Sequence, residues 1–188
     1  MDDSARRVRP TDGCGLGVGF LGQRLGEGAE RGDLTGPSPT DRARSGSKRH
    51  VLTDEYGVPI AVTVTGANVH DKRALAETLD ACAVRASRGP RRPTNLCLDK
   101  GYDYADSEAE VRARGITPHI RRRGEPPLVG CTFGKPRRWV VERCNAWHNQ
   151  FRALLIRWER IGARYLALCH LASALITYRV LTNVTLRF

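Results

Sequence analysis

Hydrophobic and polar residues follow regular patterns from about position 50 onward, and their spacing predicts strands and helices. Residues 49–54 and 58–65 are β-rich runs separated by a short turn-like spacer, which predicts a hairpin. Residues 74–79 follow with the apolar spacing of a helix packed on a sheet. Asn68 and Asp71 have the spacing of a capping pair before that helix.

The middle of the chain continues the alternation of strands and helices. The pattern predicts a basic loop at 85–93, a strand at 94–98, a helix at 104–114, a strand at 116–120, a basic loop at 121–127 and a last helix at about 163–180. The strand at 94–98 delivers Asp99 at its C-terminal end. This order of elements indicates an α/β fold, with a mixed sheet flanked by helices.

A long helix is predicted ahead of the last one, because apolar residues recur there every three or four positions. The apolar stripe contains Val140, Cys144, Trp147, Phe151, Leu154 and Trp158. A polar stripe with the same spacing contains Arg138, Glu142, Asn145, Asn149 and Arg152. We therefore expect Trp147, Phe151 and Trp158 to face the interior, and Glu142 to point away from the core.

Residues 1–32 differ from the rest, because they are glycine-rich and have neither a helical nor a strand period. We expect this segment to be poorly ordered. Its glycines include a GxGxxG arrangement (Gly17, Gly19 and Gly22), but no hydrophobic strand precedes it, so a nucleotide-binding loop is disfavoured. The expected organisation is a segment at 1–32, one folded domain at 33–182 and a tail at 183–188.

Length and charge narrow the class of protein. A chain of 188 residues and 20.8 kDa fits one domain of ordinary size. The formal net charge of +11 and a pI near 10.0 come mainly from arginine, which grips phosphate through paired hydrogen bonds. Such a surface suits a nucleic acid, although arginines that merely solubilise the fold remain an alternative.

Cysteine usage and hydropathy indicate a reducing, cytoplasmic setting. The six cysteines form no CxxC pair and no zinc-like spacing with histidine, so they are expected to be free thiols. Cys97, Cys144 and Cys169 lie in apolar stretches, where a reduced cysteine behaves as a small hydrophobe. The most apolar run, 165–178, is too short to span a bilayer, which needs ~20 residues, and is expected to be a buried helix.

Asp99 and Glu142 are the acidic residues best placed to face one cleft, the first at a strand end and the second on a polar helix stripe. Cutting and rejoining a phosphodiester needs an activated attacking oxygen and a stabilised leaving oxygen, which two Mg²⁺ ions can supply together. Carboxylate oxygens are the ligands that such hard cations prefer. The alternative is that Asp99 and Glu142 are ordinary solvated surface groups without a catalytic role.

Five segments, in chain order, carry a resemblance to a known family. They are Thr-Gly-Pro-Ser-Pro-Thr-Asp-Arg at 35–42, Gly-Ser-Lys-Arg-His at 46–50, Thr-Gly-Ala-Asn-Val-His-Asp at 65–71, Leu-Asp-Lys-Gly-Tyr-Asp at 98–103, and Trp-Val-Val-Glu-Arg at 139–143 with Ala146 and Trp147. Together they resemble the bacterial DDE transposases of the insertion sequence 5 group, in the insertion sequence 4 / insertion sequence 5 superfamily. The resemblance implies a ribonuclease-H-like fold, Mg²⁺ or Mn²⁺ as cofactor, and DNA cleavage and strand transfer at insertion-sequence ends.

The resemblance also implies roles for individual residues. Asp99 matches the second catalytic aspartate of the family and Glu142 its catalytic glutamate, so both would hold metal. Arg138 matches the arginine of the Tyr-Arg-Glu-Lys signature, whereas Lys135 and Asn149 occupy its tyrosine and lysine positions. The tyrosine and the lysine of the signature are therefore both absent near Glu142.

Two further features of the resemblance stay open. His70 and Asp71 match a recurrent His-Asp pair, for which helix capping is as good an explanation as a place in the active site. The first catalytic aspartate of the family lies on a strand upstream of the Gly-Pro-Ser-Pro motif, where residues 21–25 contain none and Asp33 is too close to the motif. We therefore expect the first strand to be missing and the copy to be truncated at its N-terminus.

DNA is the partner implied by the charge and by the resemblance, and a homo-oligomer is left open. The candidate DNA-contacting residues are Arg121, Arg122, Arg123, Arg137, Arg138 and Arg143. Three hypotheses follow: an active transposase with an unrecognised third carboxylate, an inactive DNA-binding remnant, and a non-transposase nuclease of ribonuclease-H-like fold. For each, the expected location is the cytoplasm, at the nucleoid.

Overall fold

The computed structural model describes residues 18–27, 32–39, 42–82, 85–86, 89–90, 93–120 and 138–182. Its strands are β1 Val18–Glu27, β2 Gly36–Pro37, β3 Ser45–Thr53, β4 Pro59–Gly66, β5 Arg85–Ala86, β6 Gly89–Pro90, β7 Asn95–Leu98 and β8 Thr117–Ile120. Its helices are α1 Lys72–Asp80, α2 Ala105–Ala113, α3 Arg138–Asn149, α4 Arg152–Leu155 and α5 Gly162–Leu181, with a 3₁₀ turn at Lys100–Tyr102.

One mixed sheet organises the described part of the chain. β3 pairs antiparallel with β4 and β2 on one side and with β1 on the other, and β1, β7 and β8 follow as parallel neighbours. The predicted hairpin, the strands around 94–98 and 116–120, and the α/β order are confirmed. In the predicted basic loop, β5 and β6 form a separate two-stranded ladder.

The expectation that the N-terminal segment lacks a strand is wrong for Val18–Glu27. β1 lies in the middle of the sheet, antiparallel to β3 from Phe20 to Glu27 and parallel to β7 from Val18 to Leu21. Glycine is a poor strand former on its own, but partners on both edges satisfy the backbone hydrogen bonds of this segment. Residues 1–17 and 28–31 lie outside the described residues.

Helices cover both faces of the sheet, because successive strand residues point to opposite sides. Leu52 of β3 belongs to a core with Leu75 of α1, Val111 of α2 and Leu96 of β7. Its neighbour Val51 belongs to the opposite core. That second core contains Val62, Val64, Cys144, Leu154, Tyr165, Cys169 and Ala172, and so joins α3, α4 and α5 to the sheet.

The helix before the last one is shorter than predicted. α3 ends at Asn149, Phe151 has an extended backbone, and only the single turn α4 follows. Trp158 therefore lies beyond the helix and is 76% exposed, so its predicted place in the core is wrong. Trp147 and Phe151 are half-buried, and Phe151 packs against the second core.

Three other polar residues differ from expectation. Asn145, assigned to the polar stripe, is only 5% exposed, because α3 presses one flank against β1 as well as against β3. Asp71 precedes α1 but makes no side-chain capping bond. Asn68 lies instead against Gly66, where an added Cβ would stand 2.7 Å from the Asn68 Oδ1.

The last helix, predicted at about 163–180, is confirmed as α5.

The cysteines of the described residues agree with the sequence-based expectation. Cys82, Cys97, Cys144 and Cys169 are free thiols. Burial raises the pKa of Cys144 to about 12 and that of Cys169 to about 11, so both stay protonated and act as small apolar groups in the second core. Cys14 and Cys131 lie outside the described residues.

Candidate active site

Asp99 lies directly after β7, where the strand passes into the 3₁₀ turn Lys100–Tyr102. Its side chain is half-buried, and its carbonyl accepts a hydrogen bond of 2.9 Å from the Tyr102 N–H. Asp99 therefore lies at the carboxyl end of a parallel strand inside the sheet, and the turn holds its backbone there. Such strand ends are where α/β sheets commonly carry their functional side chains.

The helix that carries Glu142 packs on β1 and β3 and contacts β7 through one residue. Cys97, two residues before Asp99, contacts a small cluster formed by Val140 and Val141 of α3. Glu142 follows these residues on the helix and is exposed, as predicted. The structure thus brings together the strand that ends at Asp99 and the helix that carries Glu142.

β1 is the strand beside Asp99, and its register identifies the residue next to that carboxylate. The ladder of β1 and β7 ends with Leu21 opposite Leu98, and the same register continued by one residue places Gly22 opposite Asp99. Gly22 also pairs with Val51, which packs with Cys144 of α3, and paired residues share a face of the sheet. Gly22 therefore stands on the α3 side of the sheet without a side chain.

The oxygen donors around Asp99 do not complete a two-ion centre. Within the described ranges, no group of three or more His, Cys, Asp or Glu side chains could hold a metal ion. Asn145 lies three residues after Glu142, and its buried Oδ1 has no hydrogen-bond partner, so it offers one neutral oxygen. Two divalent cations need more negative charge than Asp99 and Glu142 supply. The residues present therefore do not fit such a centre.

Contacts from β3 and from the loop before α1 hold the segment after Asp99. Lys48 Nζ donates to Asp71 Oδ1 and to the Val69 carbonyl, both at 3.0 Å. We call Asp99 and the 3₁₀ turn that follows it the Asp99 turn. An added Cβ at Gly101 would stand 3.1 Å from Asp71 Oδ2, so this carboxylate packs against the Asp99 turn. The sequence left the role of the His-Asp pair at 70–71 open between helix capping and the active site. In the structure, Asp71 of this pair packs against the turn that follows Asp99.

His50 and Tyr102 form a second contact on the same side. His50 Nε2 is 2.8 Å from Thr65 Oγ1, and its Nδ1 is 3.4 Å from the Tyr102 hydroxyl. Burial lowers the pKa of His50 to about 4; Asp71 raises it and Lys48 lowers it by smaller amounts. Burial, together with the Asp71 and Asp99 carboxylates, raises the pKa of Tyr102. Both groups are therefore neutral near pH 7.

The predicted DNA-contacting arginines have different outcomes. Arg121, Arg122, Arg123 and Arg137 lie outside the described residues, as does Lys135. Arg138 is the first residue of α3. The Arg143 guanidinium donates to the Tyr56 carbonyl and lies 5.1 Å from the centre of the Trp147 ring, so it is engaged at the β3–β4 turn. Asn149, at the signature lysine position, accepts a 2.7 Å hydrogen bond from Arg49.

Sequence reasoning missed the residues whose importance depends on distant partners. The Lys48–Asp71 pair joins positions 23 residues apart, and nothing in either motif indicates the other. The sequence contained one weak indication of Asn145, because a residue three positions after Glu142 can lie on the same side of the helix. It contained no indication of β1, because this segment forms a strand only through pairing with β3 and β7.

Comparison with known proteins identifies the family. The family described as "Transposase DDE domain" matches residues 7–177, and the chain therefore belongs to it. The chain is 44% identical over 150 residues to the Burkholderia cepacia protein named "Putative transposase for insertion sequence element IS402". That match covers 78% of this chain and 70% of the relative. Enzymes of this family generally use divalent metal ions.

One solved structure supports the fold, and a second is more distantly similar. The piggyBac transposase, solved as a synaptic complex with hairpin DNA, aligns with a TM-score of 0.51 and 11% identity over 87% of this chain and 46% of its own. A chain of the simian T-cell lymphotropic virus intasome, solved with PP2A regulatory subunit B56 gamma, aligns with a TM-score of 0.48 and 12% identity. It is matched over 88% of this chain and 48% of its own. The fold is ribonuclease-H-like, as the resemblance implied.

Among the described residues, no helix has both the length and the apolar character that crossing a bilayer requires.

Proposed function

We propose that this chain binds DNA as a transposase-type protein and does not cleave or join DNA as it stands. One observation carries the second half of the proposal: Gly22 occupies the β1 position beside Asp99, where the sheet could supply a third carboxylate. The nearest acidic residue on β1 is Glu27, five residues along and about 17 Å away at the strand rise of ~3.3 Å per residue.

The loss of one carboxylate affects both charge and geometry. In a two-ion site, shared carboxylates offset the charge of the cations and set their separation, so that attacking and leaving oxygens are stabilised together. Asp99 and Glu142 are the family-matched pair in this chain. With Gly22 at the position beside Asp99, the site is one anionic ligand short, and metal occupancy is expected to suffer first.

The test is cleavage of labelled insertion-sequence ends with Mg²⁺ or Mn²⁺ by the natural chain and by the Gly22→Asp variant. We expect no cleavage by the natural chain and measurable cleavage by the variant. The double variant Gly22→Asp with Asp99→Ala is the matched control, and it should be inactive. Gly22→Asn, which adds a side chain of similar size without charge, should not restore activity.

One result would overturn the proposal in favour of an active transposase. If the natural chain cleaves DNA and Asp99→Ala abolishes that cleavage, another residue supplies the missing ligand. Asn145 would then be the first residue to substitute, because its buried Oδ1 has no partner and lies near Glu142 on α3. The five motifs further favour the insertion sequence 5 group as the source of the DNA ends to be tried.

A further inference from the structure

Three sequence motifs that lie far apart in the chain meet beneath the Asp99 turn. Lys48 and His50 come from the Gly-Ser-Lys-Arg-His segment, Asp71 from the His-Asp pair, and Tyr102 from the Asp-Lys-Gly-Tyr segment. None of these four side chains is a ligand in the site described above. Their meeting point is the polypeptide that immediately follows Asp99.

The first anchor is an ion pair. Lys48 and Asp71 are joined at 3.0 Å, with side chains only 15% and 11% exposed. Lys48 also donates to the Val69 carbonyl, so its ammonium is held by two acceptors and has little freedom to move. An ion pair withdrawn from water in this way keeps a more defined geometry than a surface pair.

Glycine at position 101 allows the Asp99 turn to pack closely against this ion pair. An alanine there would place its Cβ 3.1 Å from Asp71 Oδ2, closer than ordinary van der Waals contact. Asp71 itself is 8% exposed. The Asp71 carboxylate therefore packs directly against the turn. Any movement of Asp71 would displace Gly101, which is two residues from Asp99.

The second anchor is the phenol of Tyr102. This residue is 1% exposed, packs in the first core, and approaches His50 through its hydroxyl. Its own N–H donates to the Asp99 carbonyl at 2.9 Å. A side chain fixed in the core thus closes the turn whose first residue is Asp99.

We infer that Lys48, Asp71, His50 and Tyr102 are positioning residues, which fix the turn after β7 and so aim the Asp99 carboxylate toward the α3 side of the sheet. We name these four residues the turn bracket. The inference rests on the proposed function only in taking Asp99 as an active-site residue. Held contacts of this kind matter because a carboxylate displaced by an ångström loses its shared ligand geometry.

Amide hydrogen exchange on the natural chain of 188 residues tests the turn bracket directly. The amide of Tyr102 reports the turn, whereas amides of the β3–β4 ladder and of α5 report global stability. Asp71→Asn and Lys48→Met should each speed exchange at Tyr102 about tenfold, as expected for a lost charge-assisted hydrogen bond. The ladder and α5 amides should keep their rates.

Two further variants separate positioning from general stability. Lys48→Arg keeps the charge and should restore much of the slow exchange at Tyr102. Arg114→Met breaks the ion pairs of Arg114 with Asp80 of α1 and with Glu110 of α2, and it should leave the Tyr102 amide unchanged. Unchanged exchange in Asp71→Asn, or equal acceleration throughout the chain, would overturn the turn bracket.

A second measurement connects the turn bracket with the site. In the Gly22→Asp chain, adding Asp71→Asn should lower the Mn²⁺ affinity, measured by electron paramagnetic resonance, about tenfold. This matches the tenfold faster exchange expected at the Tyr102 amide. An unchanged Mn²⁺ affinity would show that the pair does not position Asp99. If Gly22→Asp alone fails to bind Mn²⁺, the proposed function fails, and hydrogen exchange still decides the turn bracket.

Discussion

Two histidines, His50 and His148, are fully buried on opposite faces of the sheet and behave alike. His148 Nδ1 is 3.0 Å from the Cys144 carbonyl oxygen, and its Nε2 is 3.0 Å from Ser173 Oγ. Burial lowers the pKa of each ring from 6.5 to about 4, and for His148 the nearby Arg49 adds to this effect. Both are therefore neutral in the folded protein at pH 7.

These lowered pKa values predict a loss of stability in mild acid. Between pH 6.5 and about 4 the unfolded chain binds protons that the folded chain excludes, so the free energy of unfolding falls as the pH falls. Each histidine should contribute a loss of about 2 to 3 kcal/mol by pH 4.5. Urea unfolding at pH 7 and pH 4.5 measures the difference.

The His148→Gln variant isolates one of these contributions. It should be less sensitive to acid than the natural chain by about the contribution of one histidine. His170→Gln, on the exposed side of α5, is the control and should leave the pH dependence unchanged. Equal pH dependence in all three chains would contradict the assignment of the effect to buried imidazoles.

At the scale of elements, the β3–β4 turn is fitted closely to α3. Gly57 has a φ of 81°, and an added Cβ would stand 3.1 Å from the Val140 carbonyl oxygen. Arg143 reaches from the same helix to the Tyr56 carbonyl. The turn therefore fixes the N-terminal half of α3, the part that carries Glu142.

Substitution of Gly57 by alanine should destabilise the protein by more than backbone strain alone. A positive φ costs an alanine about 1 kcal/mol, and the contact with the Val140 carbonyl should add about 1 kcal/mol more. Gly115→Ala is the matched control, since φ is 73° there and no atom lies within 4 Å of the added Cβ. Equal losses of unfolding free energy in the two variants would show that the contact with α3 contributes nothing.

Elements with their own periodicity were predictable from the sequence. The β3–β4 hairpin, α1, α2, α5 and the strand before Asp99 follow local patterns, which are dictated by the face that each element buries. β1 was not predictable, because a glycine-rich segment forms a strand only when β3 and β7 provide partners. The break after Asn149 was hidden for a related reason, since the apolar period continues through Phe151 although the backbone does not.

The candidate site was predictable only in part. Asp99 and Glu142 were located by a strand end and by a helical stripe, which are local features. Arg49 shows what was hidden: it is 1% exposed and donates to the Leu154 carbonyl and to Asn149, residues about a hundred positions away. Burial of an arginine against neutral acceptors such as these runs against its usual preference for the surface, so no local pattern could indicate it.

At the scale of the whole molecule, charge separates binding from catalysis. The net charge of +11 comes from 31 Lys and Arg against 20 Asp and Glu, and Gly22→Asp would lower it by only one. DNA binding should therefore survive in the natural chain and be nearly equal in Gly22→Asp chains tested without metal. Because no groove-reading motif is evident, phosphate contacts should provide nearly all of the affinity.

The dissociation constant for a duplex should rise steeply with salt. Each phosphate contact releases a counterion, so about four contacts imply a loss of roughly a hundredfold in affinity between 50 and 200 mM salt. Fluorescence anisotropy with duplexes of unrelated sequence measures this, and the curves for different sequences should nearly coincide. Replacing Arg121, Arg122 and Arg123 by serine should reduce the slope of log affinity against log salt by up to about 3. A flat salt response, or strong preference for one sequence, would show that binding is not governed by phosphate charge.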